Sequence, residues 1–280
     1  MIKFLLKLAI FLPVLGAVFL ILALLYTLST ICRKGHTGLG ALRGWSYAHR
    51  GLHGNGVPEN SMAAFRAALE AGYGIELDIH LMKDGTLAVM HDESLQRTTG
   101  KGGRLEDLTV AELDQFTLEG TSEKIPLFRD VLALFDGKAP IIVELKPVDG
   151  NHAALTKAAC DMLDQYHGVY CLESFDPRCI HWLKNNRPEL IRGQLTENFI
   201  ANKKSPLPFW MKAILTHQVE NFLVMPDFVA YKFADRKTLS NFLVRKLWGA
   251  QGVTWTLKTP QEYAEAVEEG WIPIFEGFRP

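Results

Sequence analysis

Residues 47–92 contain the three segments that decide the fold, YAHRG (47–51), PENSMAAF (58–65) and GIELDIHLMKDGTLAVMHD (74–92). In the third segment, apolar residues alternate with Glu76, Asp78 and His80, and this period of two predicts a strand. Glu76 and Asp78 therefore project from one face, where their charges repel unless a cation lies between them or one carboxyl keeps its proton. Oxygen ligands of this kind favour a hard divalent cation, Mg²⁺ or Ca²⁺. The alternative is a solvent-facing strand edge that binds no ion.

Two histidines stand where short apolar segments end. His49 closes a predicted strand and is followed by Arg50 and Gly51, and His91 follows the apolar run 87–90 and precedes Asp92. Imidazoles at strand ends beside a cation site suit a general acid and a general base. The sequence leaves open which histidine is the acid and which is the base.

Further along the chain, predicted strands alternate with predicted helices. The later strands are expected over residues 139–147, 169–174, 190–195, 227–231, 253–257 and 271–275. Together with the strands that end at His49 and near Leu81 they number eight, and strand–helix alternation carried this far predicts a parallel sheet closed into a (β/α)8 TIM-type barrel. Helix N-caps are expected at Asn60 or Ser61, and also at Asp176, Asp235 and Thr259.

Five short motifs occur in order within this region. They are His49-Arg50-Gly51, Pro58-Glu59-Asn60-Ser61 with Ala64-Phe65, Glu76-x-Asp78, Asp84-Gly85 and His91-Asp92. In order and spacing they resemble the glycerophosphodiester phosphodiesterase family. The resemblance implies a metal-dependent phosphoric diester hydrolase that releases glycerol 3-phosphate and an alcohol. It also implies a small insertion after the second strand, over residues 95–130, that covers part of the active-site mouth.

The same resemblance supplies roles for individual residues. It makes His49 and His91 catalytic and Glu76, Asp78 and Glu144 the ligands of one divalent cation. A further set is expected to bind substrate or its phosphate, namely Arg50, Lys146, Trp255 and Glu59. Glu144 and Lys146 share a face of the strand IIVELKP, and their alternative role is a surface ion pair. Trp255 is equally consistent with barrel filling. FEGFRP (275–280) stands where the family usually has an aspartate-containing turn, so no role is predicted for Glu276.

The N-terminal region predicts a membrane anchor. Residues 8–32 carry no charge and would form a helix about 37 Å long, enough to cross a hydrocarbon core of about 30 Å. We expect residues 1–34 to be an uncleaved single-pass anchor rather than a signal peptide, residues 35–44 a linker, and 45–280 the catalytic domain. Lys3 and Lys7 nearly balance the basic residues after the helix, so charge hardly determines the orientation of the anchor. The cysteines lack the spacing of a metal motif and are expected to be reduced core thiols, which slightly favours a catalytic domain on the cytoplasmic side.

Composition narrows the class of protein further. The chain has 280 residues and a formal net charge of −1, which suits one barrel-sized domain and predicts no nucleic-acid partner because no basic stripe is present. An anchor hints at a substrate that carries a lipid tail, such as a lysophospholipid. Two alternatives stay open, a related barrel phospholipase with a cyclic phosphate product and a non-catalytic membrane-anchored binding protein.

Overall fold

The structure is a computed structural model that describes the backbone of residues 2–280 and the side chains of residues 11–280. The side chains of Lys3 and Lys7, on which the predicted membrane orientation depends, lie outside the described residues.

Eight parallel strands close into a barrel, as the sequence predicts. Hydrogen bonding follows the chain order around the barrel, and the first strand pairs with both the second and the last. A ninth, short strand pairs antiparallel with the second. The strands are β1 Tyr47–His49, β2 Gly74–Leu81, β3 Leu87–Val89 (antiparallel), β4 Ile141–Leu145, β5 Tyr170–Ser174, β6 Arg192–Thr196, β7 Phe228–Lys232, β8 Gln251–Leu257 and β9 Ile272–Phe275.

Most of the helices lie between consecutive strands of this barrel. The helices are α1 Ile2–Ser29, α2 Leu39–Leu42, α3 Met62–Glu70, α4 Gln96–Thr99, α5 Val110–Leu113, α6 Phe128–Phe135, α7 His152–Leu163, α8 Pro177–Asn186, α9 Phe209–Thr216, α10 Asn221–Val224, α11 Leu239–Phe242 and α12 Pro260–Glu268. A π-helical turn, Leu243–Leu247, continues α11.

The predicted N-caps are confirmed in three cases and wrong in one. Ser61, Asp176 and Thr259 each accept a backbone N–H of the helix that follows. Asp235 does not cap α11, because it lies in a 3₁₀ turn and its carboxylate accepts the backbone N–H of Asn198. Thr238 takes the capping position instead.

Strand parity divides the core into two parts. Alternate residues of the strands, including Tyr47, Ile142 and Cys171, fill the barrel interior, while the other face packs against the helices. Gly193 on β6 is required by this packing, since a Cβ there would lie 2.1 Å from the ring of Phe228. Residues two or four positions further along a strand point to the same side as these interior residues, and at the carboxyl end of the strand they lie at the mouth of the barrel.

The predicted insertion after the second strand is present and has a core of its own. β3, α4 and α5 lie in residues 82–127, and their buried residues form a separate apolar cluster that includes Met90, Leu105 and Phe116. Such a cluster makes the insertion a packed unit rather than a loose loop, so that its side chains can be held at fixed positions beside the mouth.

The N-terminal helix projects from the domain. Its part from Phe11 to Ser29 has a mean hydropathy of 2.5 and is long and apolar enough to cross a membrane. The chain after it is packed: Thr30 and Cys32 are buried, and Arg33 forms an ion pair with Asp227 before β7. The segment predicted as a linker, 35–44, contains α2, which packs against the barrel interior.

Candidate active site

Three carboxylates converge at the mouth of the barrel. Glu76 and Asp78 lie on β2, Asp78 is in register with Glu144 on β4, and all three are buried. One oxygen from each lies within 4.8 Å of the others. The strand pairing therefore brings together the three residues that the sequence predicts as metal ligands.

Lys146, two residues beyond Glu144, lies among these carboxylates. Its Nζ is 2.7 Å from Glu144 Oε1 and 3.1 Å from Asp78 Oδ1. Burial alone would raise the pKa of Asp78, but Lys146 and other nearby cationic groups outweigh it and lower that pKa well below the ordinary value. Burial raises the pKa of Glu144 to about 7 and that of Glu76 well above its ordinary value. Lys146 alone therefore does not compensate the three groups in their ionised form, and burial favours the protonated form of Glu76 and Glu144.

A fourth carboxylate, which the sequence reasoning missed, adds to this charge. Glu173 on β5 pairs in register with Glu144 and is buried, and burial followed by repulsion from Glu144 raises its pKa. Its Oε2 has no hydrogen-bond partner among the described residues. The sequence did offer an indication of this position. Glu173 stands at the end of a strand and shares a face with Cys171, two residues earlier, which fills the barrel interior.

These residues fit a divalent cation. Four buried carboxyl groups face two basic side chains, Arg50 and Lys146, and the donors are all oxygen, which suits Mg²⁺ or Ca²⁺. Glu76, Asp78 and Glu144 form a group whose oxygens lie close enough together to hold it. Asp78 Oδ2 also accepts the side-chain amide of Asn60 at 2.8 Å, which orients its carboxylate.

Each of the two predicted catalytic histidines is held by a carboxylate at Nδ1. His49 Nδ1 lies 2.6 Å from Glu276 Oε2, and His91 Nδ1 lies 2.6 Å from Asp92 Oδ1. In each case Nε2 is left for the cavity, and His49 Nε2 is 3.9 Å from Glu76. Burial lowers the pKa of His49, against the effect of Glu276, and lowers the pKa of His91 to about 4. Burial therefore favours the neutral form of both rings.

Glu276 is a second residue that the sequence reasoning missed. It follows β9, whose pairing with β1 brings it beside His49 from 227 residues away in sequence. The hydrogen bond to His49 is the main reason that the pKa of Glu276 is lowered to about 2. His53 also comes within reach of His49 and Glu276.

Arg50 connects the cation site to the insertion. Its backbone has φ of 55° and donates a hydrogen bond to Glu76 Oε2, which fixes that carboxylate. Its guanidinium pairs with Glu59 Oε1 at 2.9 Å, and Arg97 of the insertion contacts the same oxygen at 2.6 Å. Glu59 is thus held between two arginines, and its predicted substrate contact stays a prediction.

His80 makes another contact between β2 and the insertion. Its Nδ1 lies 2.5 Å from Glu106 Oε1, and its Nε2 is 3.3 Å from the backbone oxygen of His91. His80 lies on the same strand face as Glu76 and Asp78 and joins β2 to the insertion.

A cavity of about 280 Å³ opens in the mouth, lined by both histidines, Arg50 and four carboxyl groups, those of Glu76, Glu144, Glu173 and Glu276. Trp255, predicted to bind substrate, forms one wall and meets Phe175 edge to face with 5.5 Å between ring centroids. Its indole N–H donates to the backbone oxygen of Ala230. Phe175 lines the same wall. The cavity is therefore acidic at one side and aromatic at the other.

The fold and this site define a (β/α)8-barrel protein with a carboxylate cluster and two carboxylate-bound histidines at its mouth. The model of the glycerophosphoryl diester phosphodiesterase family matches residues 49–276, and the chain belongs to this family.

Relatives with curated descriptions match parts of the chain. A glycerophosphodiester phosphodiesterase of Bacillus altitudinis is 44% identical over 107 residues, 36% of this chain and 43% of the relative. Another, of Caldanaerobacter subterraneus, is 42% identical over 158 residues, 53% of this chain and 65% of the relative. A lysophospholipase D of Homo sapiens is 33% identical over 133 residues, 43% of this chain and 41% of the relative. The matches thus cover less than two thirds of the relatives' length.

Solved structures share the fold. A phosphodiesterase of Oleispira antarctica, described in complex with the product sn-glycerol-3-phosphate, superposes with a TM-score of 0.68 at 21% identity, over 83% of this chain and 92% of that one. A glycerophosphodiester phosphodiesterase of Thermotoga maritima superposes with a TM-score of 0.63 at 24% identity, over 82% of this chain and 93% of that one. These similarities confirm the barrel that the sequence predicts.

Proposed function

We propose that the chain is a divalent-cation-dependent phosphodiesterase. It hydrolyses glycerophosphodiesters or lysophospholipids to glycerol 3-phosphate or lysophosphatidic acid and an alcohol. The observation that carries this proposal is that two carboxylate-held histidines line one cavity with Glu76 and Glu144, whose oxygens lie close to those of Asp78. Family membership and the names of the relatives support the same reaction.

The two histidines are placed for proton transfer at one defined atom each. Because Glu276 and Asp92 occupy the Nδ1 positions, each ring exchanges a proton through Nε2. One ring, in its neutral form, takes the proton of the nucleophile at Nε2. The other gives a proton from Nε2 to the leaving alcohol, so it enters the reaction as an imidazolium that the carboxylate at Nδ1 and the charge of the bound phosphate favour, and both rings then return to their starting forms by proton exchange with water. The carboxylate behind each ring stabilises the imidazolium that forms during transfer, as Coulomb attraction between opposite charges requires.

The basic residues hold the phosphate. Attack at phosphorus increases the negative charge on the non-bridging oxygens, so cations around them stabilise the transition state more than the ground state. Arg50 offers a planar fork of N–H donors and Lys146 a compact charge. A divalent cation on Glu76, Asp78 and Glu144, when bound, supplies further neutralisation of the developing charge.

The N-terminal helix acts as an uncleaved anchor in this proposal. Support comes from the chain at its end, since the Trp248 indole donates to the backbone oxygen of Thr27 and contacts Thr30, which is fully buried. A signal peptide that is removed would have no reason to complete the packing of the mature domain. The four cysteines are free and buried, which supports a reducing, cytoplasmic location for the domain.

Product analysis by ³¹P NMR tests the proposed reaction on the full chain in detergent micelles. Glycerophosphocholine, glycerophosphoethanolamine and a lysophospholipid are each offered with Mg²⁺ or Ca²⁺, with a chelator and with the His49→Ala variant. His167→Ala, a change at an exposed histidine, is the matched control. Release of glycerol 3-phosphate or lysophosphatidic acid that the chelator and His49→Ala abolish is the expected result. No turnover by folded, metal-loaded protein would overturn the proposal, and a cyclic phosphate end product would replace it by the related phospholipase reaction.

A further inference from the structure

Four large apolar side chains are exposed at the starts of two neighbouring helices. Phe209 and Trp210 begin α9, with exposed fractions of 72% and 61%, and Leu239 and Phe242 belong to α11, with 63% and 60%. α11 follows β7, so its first turn lies on the mouth side of the barrel. The last turn of α9 lies beside it, because Ser240 Oγ donates to the backbone oxygen of Thr216, and Thr196 Oγ1 at the carboxyl end of β6 donates to that of Leu215. We call these four residues the apolar rim. Exposed aromatic residues grouped in this way mark an interaction site.

The N-terminal helix lies beside the apolar rim. Tyr26 packs edge to face on His217 at the end of α9, with 6.1 Å between ring centroids, and lies next to Ser240 in α11. Four residues later Thr30 contacts Trp248, which follows the π-helical turn at the far end of the α11 segment. α1 therefore descends along α11 towards the amino-terminal ends of the strands.

The direction of α1 determines where the span leaves the domain. Following α1 backwards from Tyr26 leads past the first turn of α11 and hence past the mouth side of the barrel. Leu22, Leu24 and Leu25 are 57–60% exposed, so this part of α1 has left the domain. At 1.5 Å per residue, the 15 residues from 11 to 25 extend about 22 Å. A bilayer around them would lie against the apolar rim.

Charge around the apolar rim suits an anionic surface. Residues 198–219 and 236–261 contain no Asp or Glu. The first stretch has Lys203, Lys204 and Lys212, and the second has Lys237 close to α11. Basic residues at the edge of an apolar surface attract anionic headgroups, and Trp and Phe settle at the level of those headgroups.

We propose that the apolar rim inserts into the headgroup and acyl boundary of an anionic phospholipid bilayer, beside the membrane-spanning α1. The barrel mouth then faces the membrane, and a substrate with an acyl tail reaches the cavity without leaving the lipid. This inference rests on the proposed phosphodiesterase function and on the anchor. Continuity with α1, the exposed aromatic residues and the excess of lysines identify the bilayer as the occupant.

Insertion is measured without reference to activity. The full chain is reconstituted in phosphatidylcholine–phosphatidylglycerol vesicles with an environment-sensitive fluorophore on Phe242→Cys, and the native cysteines are all buried. Phe222→Cys, at a 49%-exposed aromatic residue of α10 towards the opposite end of the barrel, is the matched control. We expect a blue-shifted emission and quenching by spin-labelled lipid only at position 242. Equal emission and equal quenching at both positions would overturn the proposal.

Activity supplies the second test. The variant Trp210→Ser/Phe242→Ser should hydrolyse a lysophospholipid embedded in vesicles about tenfold more slowly, a loss that corresponds to about 1.4 kcal/mol. Its rate on water-soluble glycerophosphocholine should equal that of the wild type, as should both rates of Phe222→Ser. An equal loss on both substrates would overturn the proposal. If no diester is hydrolysed while position 242 is inserted, the proposed function fails and the docking surface stands.

Discussion

Replacing Glu276 by Gln removes the carboxylate that holds His49 and leaves a side chain of the same shape. The bond from His49 Nδ1 to Glu276 Oε2 is 2.6 Å long and largely shielded from solvent. Hydrogen bonds to charged groups contribute roughly 1.5–3 kcal/mol. The pKa of Glu276, about 2 against its ordinary 4.5, corresponds to about 3 kcal/mol at 1.36 kcal/mol per pKa unit.

The contribution of this hydrogen bond should lie in the lower part of that range. A fully charged pair would raise the pKa of His49, whereas burial outweighs Glu276 and lowers it. The bond therefore joins a neutral imidazole to a carboxylate, and becomes an ion pair only when His49 is protonated during the reaction. If about 1.5–2.5 kcal/mol is lost in the transition state, kcat falls roughly 10- to 70-fold.

The pH dependence should change in a defined direction. Since the carboxylate of Glu276 raises the pKa of His49, its removal lowers that pKa further. The limb of the kcat/KM profile that reports protonation of His49 should therefore move to lower pH in Glu276→Gln. Steady-state rates on glycerophosphocholine from pH 4.5 to 9 measure this limb. Glu265→Gln, which removes a half-exposed carboxylate paired with Arg236, should leave rate and profile unchanged.

A double-mutant comparison decides whether Glu276 acts through His49. In the His49→Ala background the change Glu276→Gln should have almost no further effect on kcat, because the group that it positions is absent. Equal and additive losses in the two backgrounds, or a single variant within threefold of the wild type, would refute the positioning role of Glu276.

The carboxylate cluster, the ion pairs of Asp92 and the packing of the barrel interior can each be tested by one substitution. Mg²⁺ or Ca²⁺ should raise the melting temperature of the metal-free protein, because a cation relieves repulsion among buried carboxylates. The variant Glu144→Gln should show a smaller rise, which calorimetry with and without chelator measures. An equal rise in Glu144→Gln would contradict the role of Glu144 as a ligand. Asp92 has a pKa lowered to about 2, and although burial acts the other way, hydrogen bonds from Arg97 and His91 outweigh it. The contribution of Asp92 to the free energy of unfolding is therefore complete above its ordinary pKa of 3.8 and is lost as pH falls towards 2. Urea unfolding should show that the free energy of unfolding of Asp92→Asn falls less than that of the wild type over this pH interval. An equal fall in the two proteins would count against the ion pairs. Gly193→Ala should destabilise the barrel by about 1–3 kcal/mol through overpacking against Phe228, and a smaller residue at 228 should recover part of the loss in the same assay.

Much of the fold follows from local patterns in the sequence. The period-two segment around Glu76 and the repeated strand–helix alternation predict a parallel barrel because each strand must bury one face in the interior and one beneath helices. The caps at Ser61, Asp176 and Thr259 are equally local, since each depends on a side chain and a backbone N–H two or three residues away. The predicted cap at Asp235 fails because a distant backbone group, that of Asn198, competes for the same carboxylate.

By itself, the sequence determined the residue types that the site offers and the strands that carry them: the motifs around His49, Glu76, Asp78 and His91 indicate a phosphodiesterase-like barrel before any coordinates exist. Only the tertiary structure decided which carboxylate each group meets. Glu276 reaches His49 because β9 closes the barrel against β1, and Glu173 joins the cluster because β5 pairs with β4. Likewise, the course of α1 beside α11 is set by contacts more than 200 residues apart, such as Trp248 with Thr27. Local periodicity specifies which face of a strand is buried, but the partner on the neighbouring strand is set by register and closure, which depend on the packing of the whole barrel.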